Sequence, residues 1–194
     1  MPDPIPFLLF VTVTAITPGP NNLMALSHAC GGGMKNGLRF CFGVFFGMLA
    51  VMLACGMFSG ALAAAVPEAE QAMKALGALY MLWIGWTLWN SGPASRHGAG
   101  ADRRLFFQGL ALQLVNPKII IYGITAYSVF LLPVYRDTGP LALCAAFLAT
   151  VGYLGTVAWA LCGAGLEKLF HAHPKAVNRT LALLVAACAL SMLR

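Results

Sequence analysis

Apolar residues fill this chain in long runs, and the polar ones collect at a few boundaries between them. Runs near or above roughly 20 apolar residues are what a helix needs to cross a bilayer. The first predicted span, residues 4–26, is interrupted by Thr17-Pro18-Gly19-Pro20-Asn21-Asn22. The second, residues 40–66, is uncharged throughout and ends at Pro67-Glu68. The third lies within residues 74–90 and closes with Trp83, Trp86 and Trp89, which suit an interfacial belt. Residues 91–104, SGPASRHGAGADRR, have the composition of a linker. The fourth span, residues 105–133, reads LFFQGLALQLVNPKIIIYGITAYSVFLLP, with Lys118 its single charge. The fifth, residues 139–165, has none. The sixth, residues 180–193, is short, about 21 Å of helix, and spans with Arg179 and Arg194 snorkelling at its ends.

This pattern predicts an all-α polytopic membrane protein of six transmembrane helices in a single domain, residues 1–194. The linker at about residues 91–104 divides it into halves of about 1–92 and 104–194. Three spans per half leave the second half inverted relative to the first. Each half opens with a helix broken by proline, at Pro18-Gly19-Pro20 in helix 1 and at Asn116-Pro117 in helix 4. Interrupted helices at corresponding positions of inverted repeats point to a transporter's substrate site. Beyond this punctuation the halves share no obvious residue identity.

Composition agrees with the pattern. Of 194 residues, 60% are hydrophobic and 9% charged, against about 25% charged in soluble proteins. No length remains for a soluble domain. The net charge of +6 is dispersed over loops, which argues for membrane orientation and against nucleic acid. Loops after spans one, three and five hold Lys35, Arg39, Arg96, Arg103, Arg104, Lys168, Lys175 and Arg179; those after spans two and four hold Lys74 and Arg136. The positive-inside rule therefore places the basic loops in the cytoplasm and both termini outside. Met1-Pro2-Asp3-Pro4 lacks a basic n-region, so the first span is expected to be a retained helix. The six cysteines show no C-x-x-C pair and read as small apolar residues.

Two places carry candidate chemistry. Pro18 and Pro20 each remove a backbone donor, and Gly19 loosens the chain between them. The released carbonyls and amides need protein or a water-lined cavity to satisfy them. Asn21 and Asn22 supply amide donors and acceptors, with Asn21 a candidate cap for a half-helix whose positive end points into the membrane. Lys118 is the second place. Holding a cation at the bilayer centre costs about 2.5–3.5 kcal/mol, and no Asp or Glu lies in an apolar run to pair with it. The expected counter-charge is a substrate carboxylate. Helical spacing sets Gln113, Leu114, Tyr122 and Thr125 near its face, of which Gln113, Tyr122 and Thr125 can line a polar path; Tyr122 equally suits aromatic packing. Gly43-x-x-x-Gly47 and Gly56-x-x-x-Gly60 are close-packing patterns that also permit a homodimer. His171 and His173 have no carboxylate beside them, so neither metal nor cofactor is expected. No Ser-His pair and no H-E-x-x-H motif supports an intramembrane enzyme.

Thr17-Pro18-Gly19-Pro20-Asn21, the glycine-rich basic stretch 31–37, GALYMLWIGWTL at 77–88 and Asn116-Pro117-Lys118 resemble the LysE/RhtB family of amino-acid exporters over essentially the whole chain. Within that family, LQLVNPKIIIYGITAYSVFLLP at 112–133 and VAWALCG at 157–163 are similar to the cysteine and O-acetylserine exporter branch. The resemblance implies a six-helix inverted-repeat fold in a bacterial inner membrane, working outward on small neutral amino acids. Exporters of lysine, arginine, threonine, homoserine and leucine share the motifs, so other substrates stay open. The absence of a carboxylate from the spans argues against a cationic substrate. Alternating access is the expected mechanism, with Thr17 to Asn22, Gln113, Asn116, Pro117, Lys118, Tyr122 and Thr125 as the transport site. Proton coupling through Lys118 and facilitated exchange are both open, as is a non-transporting structural protein whose prolines only shape helices.

Overall fold

The computed structural model describes residues 4–90 and 101–192. Most of the linker expected at 91–104, and the end of the sixth span at Leu193, lie outside the described residues. Among those described, every regular element is helical: α1 (Pro4–Ile16), α2 (Pro20–Trp89), α3 (Ala101–Leu114), α4 (Pro117–Thr125), a π-helical segment (Ala126–Leu131), α5 (Thr138–Gly165), α6 (Glu167–Ala172) and α7 (Pro174–Met192). Proline opens α1, α2, α4 and α7, where its fixed φ is preorganised and its missing N–H would have had no helical partner.

The element α2 is one continuous ladder only in its hydrogen bonds. Gly33 has φ 78° and ψ 167°, a left-handed φ that glycine adopts without steric cost. The chain doubles back there. A Cβ on Gly37 would stand 2.8 Å from that of Ala29, and the rings of His28 and Phe40 lie 5.1 Å apart. Eight residues of straight helix would separate such positions by about 12 Å. Gly33 is therefore the corner between the first and second predicted spans, inside the glycine-rich basic stretch. Phe58 is also non-helical. Ala78, Met81 and Ile84 return to the buried cluster that holds Phe40, Cys41 and Val44, so the axis turns back again between Phe58 and Ala78.

By length and composition, two helices are apolar enough to cross a membrane: Pro20–Phe58, whose longer arm follows the corner at Gly33, and Thr138–Gly165. A third crossing is available if Arg103–Leu114 and Pro117–Leu131, bent by 56°, are one broken span. Pro4–Ile16 and Ala78–Trp89 are shorter apolar helices. The sixth predicted span begins earlier than its apolar run: α7 starts at Pro174, because a proline start recruits residues 175–179, with the polar Lys175, Asn178 and Arg179 among them, as its first turns. Ile5, Leu9, Leu143, Leu154, Leu161 and Leu183 are exposed, an apolar outer surface that suits lipid rather than water.

Inside, two apolar clusters stack along the bundle. One joins Phe7 and Val11 of α1 with Met48, Met52 and Cys55, with Ile119, Tyr122, Tyr127 and Leu131, and with Leu141, Ala145 and Leu148. The other joins Leu23, Ala25 and Ala29, Phe40, Cys41 and Val44, Ala78, Met81 and Ile84, Leu112, Ala160 and Val185. The chain passes from one cluster to the other between Val11 and Leu23 and between Leu112 and Ile119. Both proline breaks fall in those intervals. They are held at mid-height of the bundle, between two dry layers.

Candidate functional site

Each break ends one helix and starts another, leaving carbonyls at the first and amides at the second unsatisfied. At the end of α1, Asn22 Nδ2 donates to the carbonyls of Ala15 and Thr17, each at 3.0 Å. Trp159 Nε1 of α5 donates to the Ile16 carbonyl at 3.0 Å. Lys118 Nζ of α4 donates to the Thr17 carbonyl at 2.9 Å. Three consecutive released carbonyls are thus taken by side chains, two of them from the second half of the molecule. The ammonium lies at the negative end of α1, where a cation is favoured.

The restarts differ in detail. Helix α2 restarts with Gly19 as cap, in extended conformation, and Pro20 in its first turn. Sequence spacing suggested Asn21 as the cap, but Pro20 already fixes the helical start, so Asn21 lies inside the helix with its side chain free to reach across. Its Nδ2 donates to Gln113 Oε1 at 2.8 Å, and its Oδ1 accepts from Gln113 Nε2 at 3.0 Å and Asn116 Nδ2 at 3.3 Å. Gln113 Nε2 also donates to the Gly109 carbonyl at 2.9 Å. At the other break Asn116 caps α4, its Oδ1 accepting from the Lys118 backbone N–H at 3.1 Å. Asn21, Gln113 and Asn116 are all buried, so these amides close a polar knot between the two breaks.

A small cavity of ≈ 20 Å³ opens beside the knot, room for about one water and too little for an amino acid. Gly19, Pro20, Asn21, Asn22, Asn116, Lys118 and Tyr122 line it, with Thr14, Ala15, Met48, Ile119, Gly152 and Thr156. Thr17 contributes its carbonyl from the rim, and Pro18 is exposed. Gln113 stands behind Asn21, while Pro117 is buried in the first turn of α4. Thr125, at the end of α4, is half-buried and not in the cavity wall. The helical spacing that grouped Gln113 and Leu114 with Lys118 does not run through residues 115–116, where the helix is interrupted; Leu114 points outward, 54% exposed.

Sequence reasoning missed Thr14, Met48, Gly152 and Thr156. The Thr156 hydroxyl has Gly152 O at 2.9 Å and Asn22 Oδ1 at 3.3 Å. A threonine and a tryptophan in an apolar helix carry no signal of their own; only the docking of α5 against the break gives them a partner. Gly155 permits that docking, since a Cβ there would stand 2.7 Å from the Ala15 carbonyl oxygen.

The LysE type translocator family model matches residues 12–194. The chain is 39% identical to the cysteine/O-acetylserine efflux protein of Escherichia coli (strain K12) over 183 residues, 94% of this chain and 93% of that protein. It is equally similar, with the same coverage, to the protein of that name from Shigella flexneri. No solved structure matches.

Proposed function

This chain belongs to the LysE type translocator family, and we infer from that membership and from the site that it exports small neutral amino acids. It is an amino-acid efflux transporter and not an enzyme. Cysteine and O-acetylserine are the leading substrates, since relatives 39% identical over 94% of the chain are named for their efflux. The six-span inverted repeat is supported by the paired breaks, each with a proline in the first turn of the restarted helix, meeting at mid-height. The carrying observation is Lys118, whose ammonium bridges from one break to the carbonyl end of the other beside a cavity.

In this mechanism the Lys118 ammonium gives up the Thr17 carbonyl and takes the substrate carboxylate in its place. The side-chain oxygens of Asn21, Asn22 and Asn116 and the Thr17 carbonyl accept from the substrate's ammonium. A substrate carboxylate competes with the carbonyl end of α1 for Lys118. Its arrival loosens the join between the halves, and the cavity widens toward one side or the other. Basic loops face the cytoplasm of a bacterial inner membrane and both termini face the periplasm. The Arg179 guanidinium lies over the Trp89 ring, 5.2 Å away, which sets the end of the third span and the start of α7 on one side of the bundle, as six spans require. Purified protein in liposomes loaded with labelled cysteine, O-acetylserine, threonine and lysine tests the proposal. Cysteine and O-acetylserine should leave faster than from empty vesicles, and Lys118→Ala should stop them. Export of lysine alone, or of nothing under any gradient, would overturn it.

A further inference from the structure

Tyr122 is 3% exposed, and its hydroxyl has no hydrogen-bond partner among the described residues. A buried hydroxyl left unbonded is costly, and in a native fold it calls for a partner outside the chain. The ring is held in place, stacked on Phe10 at 5.5 Å and 23°, and Phe10 in turn stacks on Phe130 at 5.6 Å. Tyr122 lines the cavity that Lys118 lines and follows it by one turn of α4, which places the two Cβ atoms about 5–6 Å apart on one face. The neighbouring wall, Met48, Ile119 and Gly152, is apolar.

We propose that the Tyr122 hydroxyl is the specificity determinant for the substrate's side chain: it hydrogen-bonds the polar γ-atom of a small amino acid whose carboxylate is held at Lys118. This deepens the export function proposed above and rests on it. A phenol both donates and accepts, so one group can accept from a thiol or hydroxyl and donate to an ester oxygen. An apolar isostere leaves it unbonded, and sites built around a polar atom discriminate most strongly against the analogue that lacks it. The apolar wall limits the partner to a short side chain.

The test compares cysteine with 2-aminobutyrate, in which a methyl group replaces the thiol, in proteoliposomes of the wild-type and Tyr122→Phe proteins. Wild type should export cysteine roughly tenfold faster than 2-aminobutyrate. In Tyr122→Phe that ratio should approach one, through slower cysteine export with the 2-aminobutyrate rate maintained. The hydroxyl bonds nothing within the described fold, so its loss leaves folding intact, and the 2-aminobutyrate rate reports this in the same vesicles. An unchanged ratio, a wild type without preference, or a proportional fall in both rates would overturn the assignment. Wild-type export that Lys118→Ala abolishes, with an unchanged ratio in Tyr122→Phe, sinks the Tyr122 role alone. No export of either compound by wild type removes the export function as well.

Discussion

In the proposed mechanism Lys118 does two jobs with one ammonium group. Its 2.9 Å bond to the Thr17 carbonyl closes the end of α1, and its further donors face the cavity. Replacing it by methionine keeps the length and removes both functions. Export should fall roughly 10- to 100-fold, the worth of a charge-assisted hydrogen bond, measured as efflux per unit of reconstituted protein. Lys118→Arg separates coupling from binding, because arginine keeps the charge and does not give up its proton. If Lys118 carries the coupled proton, that variant loses gradient-driven export. Retained gradient-driven export would leave facilitated exchange or another carrier. Gly19 faces the same side chain: a Cβ there would stand 3.3 Å from Lys118 Nζ and 3.4 Å from its Cδ. Gly19→Ala should therefore shift the lysine by a few tenths of an ångström and slow export several-fold, with normal membrane yield, while Gly19→Val should abolish it.

At the scale of elements, the broken spans are held by amides and by close backbone contact. Gln113 is fully buried with Asn21 as its side-chain partner. Asn21→Leu should cost about 1–3 kcal/mol, the penalty for leaving a buried amide unbonded. The double variant Asn21→Leu with Gln113→Leu should lose less than the sum of the singles, because both halves of the pair leave together. Thermal unfolding in detergent measures the cycle, and strict additivity would mean the amides do not act as a pair. Gly155→Leu should drive α5 off the Ala15 carbonyl and lower the melting temperature through about 1–3 kcal/mol of overpacking. The Gly43 and Gly47 ridge is spent inside the chain: a Cβ on Gly43 would collide with the Phe106 carbonyl, and one on Gly47 would stand 2.6 Å from that of Leu110. That ridge packs α2 on α3, so a homodimer would need a different surface.

For the whole molecule, the testable quantity is orientation. The proposed topology predicts that alkaline phosphatase fused after Arg194 is active and that a fluorescent protein fused there is dark. A fusion within residues 91–100 should behave oppositely. Active phosphatase at both sites would contradict the inverted arrangement. Apolar run lengths and Lys/Arg placement suffice for this expectation because a bilayer imposes the same length and charge constraints on every span.

Local chemistry was enough to read the helical membrane class, the position of both breaks and a lone cation within an apolar run, since each follows from apolar length, a missing proline N–H or an unpaired charge. Helix limits were less legible. Gly33 is one glycine among several in residues 31–37, and only its φ of 78° marks it as the corner. Pro174, by contrast, drew polar residues into α7 that hydropathy assigned to a loop. Tertiary structure alone decided which group answers which. That Trp159 reaches the Ile16 carbonyl, that Asn21 turns to Gln113 rather than capping its own helix, and that Lys118 meets Thr17 are contacts between residues 92 to 143 positions apart. No local pattern encodes such pairings, because they depend on how the helices pack and not on any one helix.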